Sequence, residues 1–386
     1  MRYLFLVQGE GRGHLTQAIS LAHLLQTNGH QVVQIRVGTA NGRLIPDFFI
    51  EQINAPVECF ESPRLIFNPK KHAVNIGATI FELLKGIRKY FKSIGQLSKA
   101  VKTAKVDAII NFYEPLGGVY NVVCRPKAPM ICIGHQYLFL HDAFIFPAHS
   151  RAEILFLNLH TRITALGAAR KLALSFRPMA DQPQNALFVM PPLLRIEVKQ
   201  GQTMPLPPKT TILAYLTFAA LANELIDWHA KHPEIEVNCF WDKKDAPNTL
   251  AHSPNLTFYR LNAALFLEKM KSCTAVVSTA GFESVCEAMF WNKPVLMMPA
   301  HVEQACNAAD ATLAGAGLAA TTFDLDALLN YLPTHADTRP AFRAWESEAK
   351  TSFLGHLTAA TSSGHHAAVH GQGVACQETI FVGTEP

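Results

Sequence analysis

Three observations predict an α/β protein of two similar halves. Short, nearly all-apolar segments alternate with amphipathic helical ones, the alternation stops at a proline-rich stretch near mid-chain, and it then starts again. The 386 residues also exceed one ordinary hydrophobic core, since domains run to roughly 100–200 residues. Strands that are apolar on both sides belong to parallel sheets covered by helices on both faces. Two such halves leave a cleft between them, and open α/β sheets bind ligands beyond the C-terminal ends of their strands.

An apolar strand over residues 2–7 runs into a glycine turn at 9–13 and then a helix with Leu15, Ile19, Ala22 and Leu25 on one face. Gly29 stops that helix, and residues 31–37 form the next strand of a βαβ unit. Strands at 108–112 and 130–133 continue an N-terminal domain over 1–190. Pro191, Pro192, Pro205, Pro207 and Pro208 mark a linker over 191–209. The second domain, 210–340, reads as strands at 210–216, 235–241, 256–259, 275–278, 294–298 and 318–322, with helices at 219–232, 263–271, 282–291, 303–314 and from 324. A helix over 341–355 follows, and the remainder, 356–386, rich in His, Ala, Gly, Ser and Thr, reads as a poorly ordered tail.

Composition excludes several classes. A 49% hydrophobic, 17% charged chain is a well-packed soluble protein, and a net charge of +4 is too mild for a nucleic-acid binder. The charge is uneven: residues 64–105 hold ten basic side chains and one acid, Glu82, so this stretch is +9 and the remainder −5. Eight cysteines without a CxxC pair read as reduced thiols of a cytoplasmic protein, neither a disulfide framework nor a zinc site. No apolar run approaches the ~20 residues of a membrane helix. The five apolar residues at 3–7 are also too few for a signal peptide.

Two turns carry the chemistry. The first, Gln8-Gly9-Glu10-Gly11-Arg12-Gly13-His14, lies between strand and helix, where closely spaced glycines let backbone approach a ligand. It is no dinucleotide fingerprint, because position 14 is histidine and no acidic ribose-binding residue stands near Arg36. At a helix N-terminus the dipole keeps an imidazole neutral, which suits His14 as a general base; the alternative is a tight turn with a surface histidine. The second is Ser278-Thr279-Ala280-Gly281-Phe282-Glu283-Ser284-Val285-Cys286-Glu287. Gly281 and the free amides of the first helical turn form an anion site, to which Ser284 adds a hydroxyl. Glu287 is one turn beyond Glu283, placed to accept the hydroxyls of a ribose, and Glu303 with Gln304 stand at the next strand's carboxyl end, in reach of a sugar. The plain alternative for these carboxylates is a solvated helix face.

Residues 279–287, followed by Pro294 and by Glu303-Gln304-x-x-Asn307-Ala308, resemble the nucleotide-sugar signature of GT-B glycosyltransferases, both family 1 and the family 28 group of the peptidoglycan N-acetylglucosaminyltransferase. Residues 9–18 (GEGRGHLTQA) are similar to the N-terminal GxGGH turn of that group, so the likeness covers roughly residues 1–355 by order of elements. It implies two Rossmann-like domains facing a cleft and an inverting, metal-independent transfer from a UDP-sugar, with no cofactor and no metal ligand. It further implies Gly281, Phe282, Glu283 and Ser284 at the diphosphate, Glu287 at the ribose, Glu303 and Gln304 at the donor sugar, and the loops near Trp241 and 259–261 around the base. Gly11, Gly13 and His14 would face the acceptor, as would His135 and Gln136, since residues 133–136 are similar to the HEQN stretch of family 28. Glu114, which also ends a strand at the cleft, is a rival base. The sequence departs from family 1 at Thr279 and Glu283, in place of histidine and asparagine, and at 215–218, which replaces a glycine-rich loop. With Thr279 a phosphate donor is lost, and the nucleotide end would rely on helix dipoles more than on Lys or Arg.

From Ile76, apolar residues recur at Ile80, Leu83, Leu84, Ile87, Phe91 and Ile94, with Lys85, Arg88, Lys89 and Lys92 on another face. Over 76–105 this predicts either a surface helix whose apolar side is core, or a basic amphipathic helix on the anionic inner face of a membrane. The expected partners are a nucleotide-sugar and a small-molecule, glycan or lipid-linked acceptor. Two other functions share the pattern: a nucleotide-sugar 2-epimerase and a non-catalytic sugar-nucleotide-binding subunit.

Overall fold

Two seven-stranded sheets carry the chain. The computed structural model describes residues 1–40, 42–66, 75–201, 207–216, 220–243 and 245–370. The first sheet comprises β1 (Arg2–Gln8), β2 (Gln31–Thr39), β3 (Val57–Glu61), β4 (Ala108–Phe112), β5 (Met130–Gly134), β6 (Arg170–Leu174) and β7 (Leu187–Met190). All its pairings are parallel, in the order β3-β2-β1-β4-β5-β6-β7. The second comprises β8 (Thr211–Leu216), β9 (Glu236–Trp241), β10 (Thr249–Ser253), β11 (Leu256–Arg260), β12 (Ala275–Ser278), β13 (Val295–Met297) and β14 (Gly317–Ala319). Its order is β10-β11-β9-β8-β12-β13-β14, and only β10 runs antiparallel to its neighbour. Tyr3 to Val7 of β1 are each 0% exposed, as helices on both faces require.

These orders place the sites. Strand order reverses between β1 and β4 in one sheet and between β8 and β12 in the other, and crevices open at the C-terminal ends of such strands. The helix Arg12–Thr27 follows β1, and the helix Phe282–Phe290 follows β12. The latter ends at Asn292, whose φ of 54° lets the Lys293 amide return to the Ala288 carbonyl at 2.8 Å.

Four strands lie outside the apolar runs named above. β3 is an edge strand, VECFE, in which only Phe60 is buried, β6 opens on Arg170-Lys171, β7 is four residues long, and β10 is an exposed edge. In the linker stretch, 202–206 lies outside the described residues, while Ile196–Lys199 forms a helical turn anchored by fully buried Val198. The poorly ordered tail expected from 356 is corrected: the helix Ala349–His370 runs through 356–370, because Phe353, Leu357 and Ala360 form a buried stripe beside β7. Residues 371–386 lie outside the described residues. This end of the chain returns to the first sheet, where the Trp345 indole donates to the Ser175 carbonyl at 3.1 Å and Arg170 donates to His356 at 2.8 Å.

The basic helix spans Ile76–Ala104 and splits along its length. Ser93, Ile94, Leu97, Ala100 and Val101 are buried, whereas Ile80, Phe81, Leu83, Leu84, Ile87 and Phe91 are 44–66% exposed. The core reading therefore holds for the C-terminal half alone.

Candidate functional site

A cleft of about 900 Å³ runs between the sheets, walled by the turn after β1 on one side and the turn after β12 on the other. Gly11, Gly13, His14, His135 and Gln136 line it from the first sheet, and Gly281, Phe282, Glu283, Ser284, Glu287, Glu303 and Gln304 from the second. Glu114 does not line it. Its carboxylate caps the helix Pro115–Cys124, accepting from the Leu116 amide at 3.0 Å and from the Ser62 hydroxyl, and Gly38 packs against it where no Cβ would fit. Burial pushes this carboxyl up to about 8. The rival base is thus a helix cap behind the wall.

His14 follows from the local fold. The N-cap Gly11 is extended, so the Arg12–Thr27 helix starts abruptly and its first turn turns the imidazole toward Tyr113, with ring centroids 5.5 Å apart and an interplanar angle of 22°. Tyr113 holds a φ of 59° at the end of β4, which brings its ring back over the cleft, and its hydroxyl pairs with Thr161 at 2.7 Å. Burial lowers the pKa of His14, so the ring is held neutral. The Gln136 amide lies 3.4 Å from Nε2; as donor it requires Nε2 to be the accepting nitrogen and leaves the proton on Nδ1. The same amide donates to Glu303 at 2.8 Å, bridging the two walls. His160, absent from the residues singled out above, lies edge-on to Tyr113 at 5.3 Å, and burial lowers it to about 4.

His135 serves packing. Its Nδ1 donates to the Leu174 carbonyl at 2.7 Å, and its ring stacks on Phe282 at 4.2 Å, one wall against the other. Phe282 therefore offers the cleft its helix-end amide while its ring is packed against His135 and Phe176.

On the second wall Ala280 holds a φ of 61°, and its carbonyl accepts from Asn307 at 3.1 Å, which fixes the turn that frees the first amides of Phe282–Phe290. Ser284 donates to the Gly281 carbonyl at 3.0 Å. Gln304 accepts from the Ala300 amide at 2.9 Å and donates to Thr279 at 3.3 Å, so threonine in place of the family histidine has a partner. Glu283 accepts from Gln17 across the cleft, and Gly13 leaves it room, since a Cβ there would meet its carboxylate. Burial between the walls pushes Glu283 up to about 7.

Glu287 receives Arg195 through two hydrogen bonds of 2.7 Å each. Arg195 comes from the linker stretch and lines the cleft beside Glu287, a cation that the sequence pattern does not reveal, whereas Arg12 lines it from the first wall, over the Phe48 ring at 5.4 Å. At the far end Tyr215, Phe240, Leu261, Asn262 and Phe266 form an aromatic recess. Of the loop near Trp241, Asp242 lines the cleft, while Trp241 itself packs on Phe258 at 4.4 Å, because successive strand residues face opposite sides. Thr217 and Phe218 lie outside the described residues. Among the described residues no group of three or more His, Cys, Asp or Glu side chains is gathered as a metal ion needs, and no helix is long and apolar enough to cross a membrane.

The sequence matches the profile of glycosyl transferase family 1 over residues 1–334. No curated protein matches it. Among solved structures it is similar to the glycotransferase of kitacinnamycin, at 14% identity, with 95% of this chain and 98% of that one covered and a TM-score of 0.61. It is likewise similar to Phytolacca americana UGT2 complexed with UDP-2-fluoro-glucose and pterostilbene, at 14% identity, 94% and 99% coverage and a TM-score of 0.60. A third likeness is to Acinetobacter baumannii MurG, at 16% identity, 92% and 99% coverage and a TM-score of 0.52. The two Rossmann-like sheets facing a cleft are the GT-B fold of these structures.

Proposed function

The chain belongs to glycosyl transferase family 1 and is a glycosyltransferase, and from that premise we propose an inverting, metal-independent transfer from a UDP-sugar to an acceptor hydroxyl. One observation carries the reading: a neutral, buried histidine with Nε2 as its accepting nitrogen stands in the same cleft as a helix N-terminus with free amides. The acceptor hydroxyl displaces the Gln136 amide from Nε2 and gives that nitrogen its proton as the oxygen attacks the anomeric carbon. The bond from that carbon to the diphosphate breaks on the opposite face, so configuration inverts. Negative charge on the departing UDP meets the amides of Phe282–Phe290 and Arg195, with the Ser284 hydroxyl turning from the Gly281 carbonyl to donate to it. Glu287 accepts from the ribose, Glu303 and Gln304 hold the sugar, and the recess of Tyr215, Phe240 and Phe266 takes the uracil. The Phytolacca structure of the same fold, complexed with UDP-2-fluoro-glucose and pterostilbene, supports a UDP-sugar as donor.

The test is UDP release from a panel of UDP-sugars, with and without candidate acceptors, by the wild type, His14→Ala and Glu287→Ala. Loss of turnover in both variants is expected. Unchanged turnover in both overturns the reading, and conversion of UDP-N-acetylglucosamine to its 2-epimer without any acceptor replaces it with the epimerase.

A further inference from the structure

The exposed half of the basic helix presents three faces. At about 100° per residue, Ile80, Leu84, Ile87 and Phe91 lie on one line, and Lys85, Arg88, Lys89 and Lys92 lie roughly a third of a turn to one side. The core residues Leu97, Ala100 and Val101 fall roughly a third of a turn to the other side. The apolar line meets the core at its C-terminal end, where Ile94 on the same side is buried, and is uncovered from Ile80 to Phe91. It is 47–64% exposed, the four cations beside it are exposed as well, and the one acid of the segment, Glu82, projects away from it. Contiguous apolar exposure of this kind is unusual on a protein without a partner for it.

The start of this helix is tied to the cleft. Asn75 donates its amide to the Ile66 carbonyl at 2.7 Å, the Ile66 amide donates to the Thr79 hydroxyl at 3.1 Å, and Leu65 and Ile66 line the cavity, as do Leu44 and Phe48. We propose that residues 80–92 dock on an anionic lipid bilayer, with the apolar line in the headgroup boundary and the four cations on the acidic headgroups. The acceptor mouth is thereby held at the lipid surface, where the substrate class is an amphiphile with a hydroxyl-bearing head. Only this last clause rests on the transfer reading above. The occupant follows from charge: cations flanking apolar residues on a helix match an acidic lipid surface, to which each Lys or Arg adds about fivefold in affinity.

Flotation with phosphatidylcholine vesicles, with and without phosphatidylglycerol, decides it. The full chain is compared with Leu84→Ser/Ile87→Ser/Phe91→Ser and with Lys85→Gln/Arg88→Gln/Lys89→Gln/Lys92→Gln, all on exposed positions; equal melting temperatures certify their folding. The wild type floats only with phosphatidylglycerol. The Ser variant loses flotation, and the Gln variant binds roughly six-hundredfold more weakly. Absent wild-type flotation, or equal flotation of all three proteins, overturns the proposal. So does a wild-type dimer in gel filtration that the Ser variant dissolves, since the covering surface is then a second copy. UDP binding by the same preparations separates the two readings: binding without flotation removes the membrane, and flotation without binding removes the sugar transfer and with it the acceptor clause.

Discussion

On the wall built by the first sheet, His14, His135 and His160 are all drawn toward their neutral forms by burial, and the hydrogen bonds they make run to carbonyls and amides. On the facing wall two carboxylates hold partners, one paired with Arg195 by two hydrogen bonds and one held by Gln17 across the gap. A neutral imidazole is what a proton acceptor needs, whereas fixed cations and helix amides are what a diphosphate needs. Under the proposed transfer this difference puts acceptor activation on the first wall and nucleotide binding on the second.

The largest effect that can break this comparison is at His14. His14→Ala should lower kcat by about 10²–10⁴-fold while leaving UDP affinity unchanged, checked by steady-state kinetics and calorimetry. A rise in donor KM alone would put the histidine on the nucleotide side. Next comes the Arg195–Glu287 pair. Arg195→Ala should cost about 3–5 kcal/mol of stability in a denaturant titration, because it strands a buried carboxylate, and Arg195→Lys should lower kcat/KM for the donor about tenfold by losing the paired geometry. Gly13→Ala pushes a methyl into the Glu283 carboxylate and should cost about 1–3 kcal/mol, recovered in Gly13→Ala/Glu283→Ser.

The smallest effect is in pH. Glu283 binds its proton more tightly in the native state, at about 7, than at its ordinary 4.5. Its contribution to stability is therefore full below about 4.5 and is lost as pH rises through about 7. The melting temperature should fall more from about pH 6 to about pH 8 in the wild type than in Glu283→Gln. Donor affinity should weaken over the same interval, as the carboxylate gains a charge beside the diphosphate.

The second wall was the more legible in sequence. Its anion site, Ser284, Glu287 and the Glu303-Gln304 pair follow one another within a strand-turn-helix stretch, so spacing alone gathers them in one cleft. The first wall was legible at His14 and Gln136, and misled at Glu114, which stands one residue from the cleft-lining Tyr113 but turns behind it to cap a helix. Arg195, Gln17 and His160 carried no signal, because each meets its partner only when distant elements pack. Arg195 in particular sits in a stretch that composition marks as linker. Elements followed the same logic: the longer all-apolar strands were readable, while four-residue β7 was too short to read and the edge strands β3 and β10 interrupt any apolar run with exposed polar residues.

The division of the cleft is tested most directly by calorimetric titration of UDP into the wild type, His14→Ala and Glu287→Gln. Equal affinity in the wild type and His14→Ala, with binding weakened about tenfold or more in Glu287→Gln, is the predicted result. Absence of UDP binding to the wild type, or weakening by His14→Ala as large as that by Glu287→Gln, would contradict it.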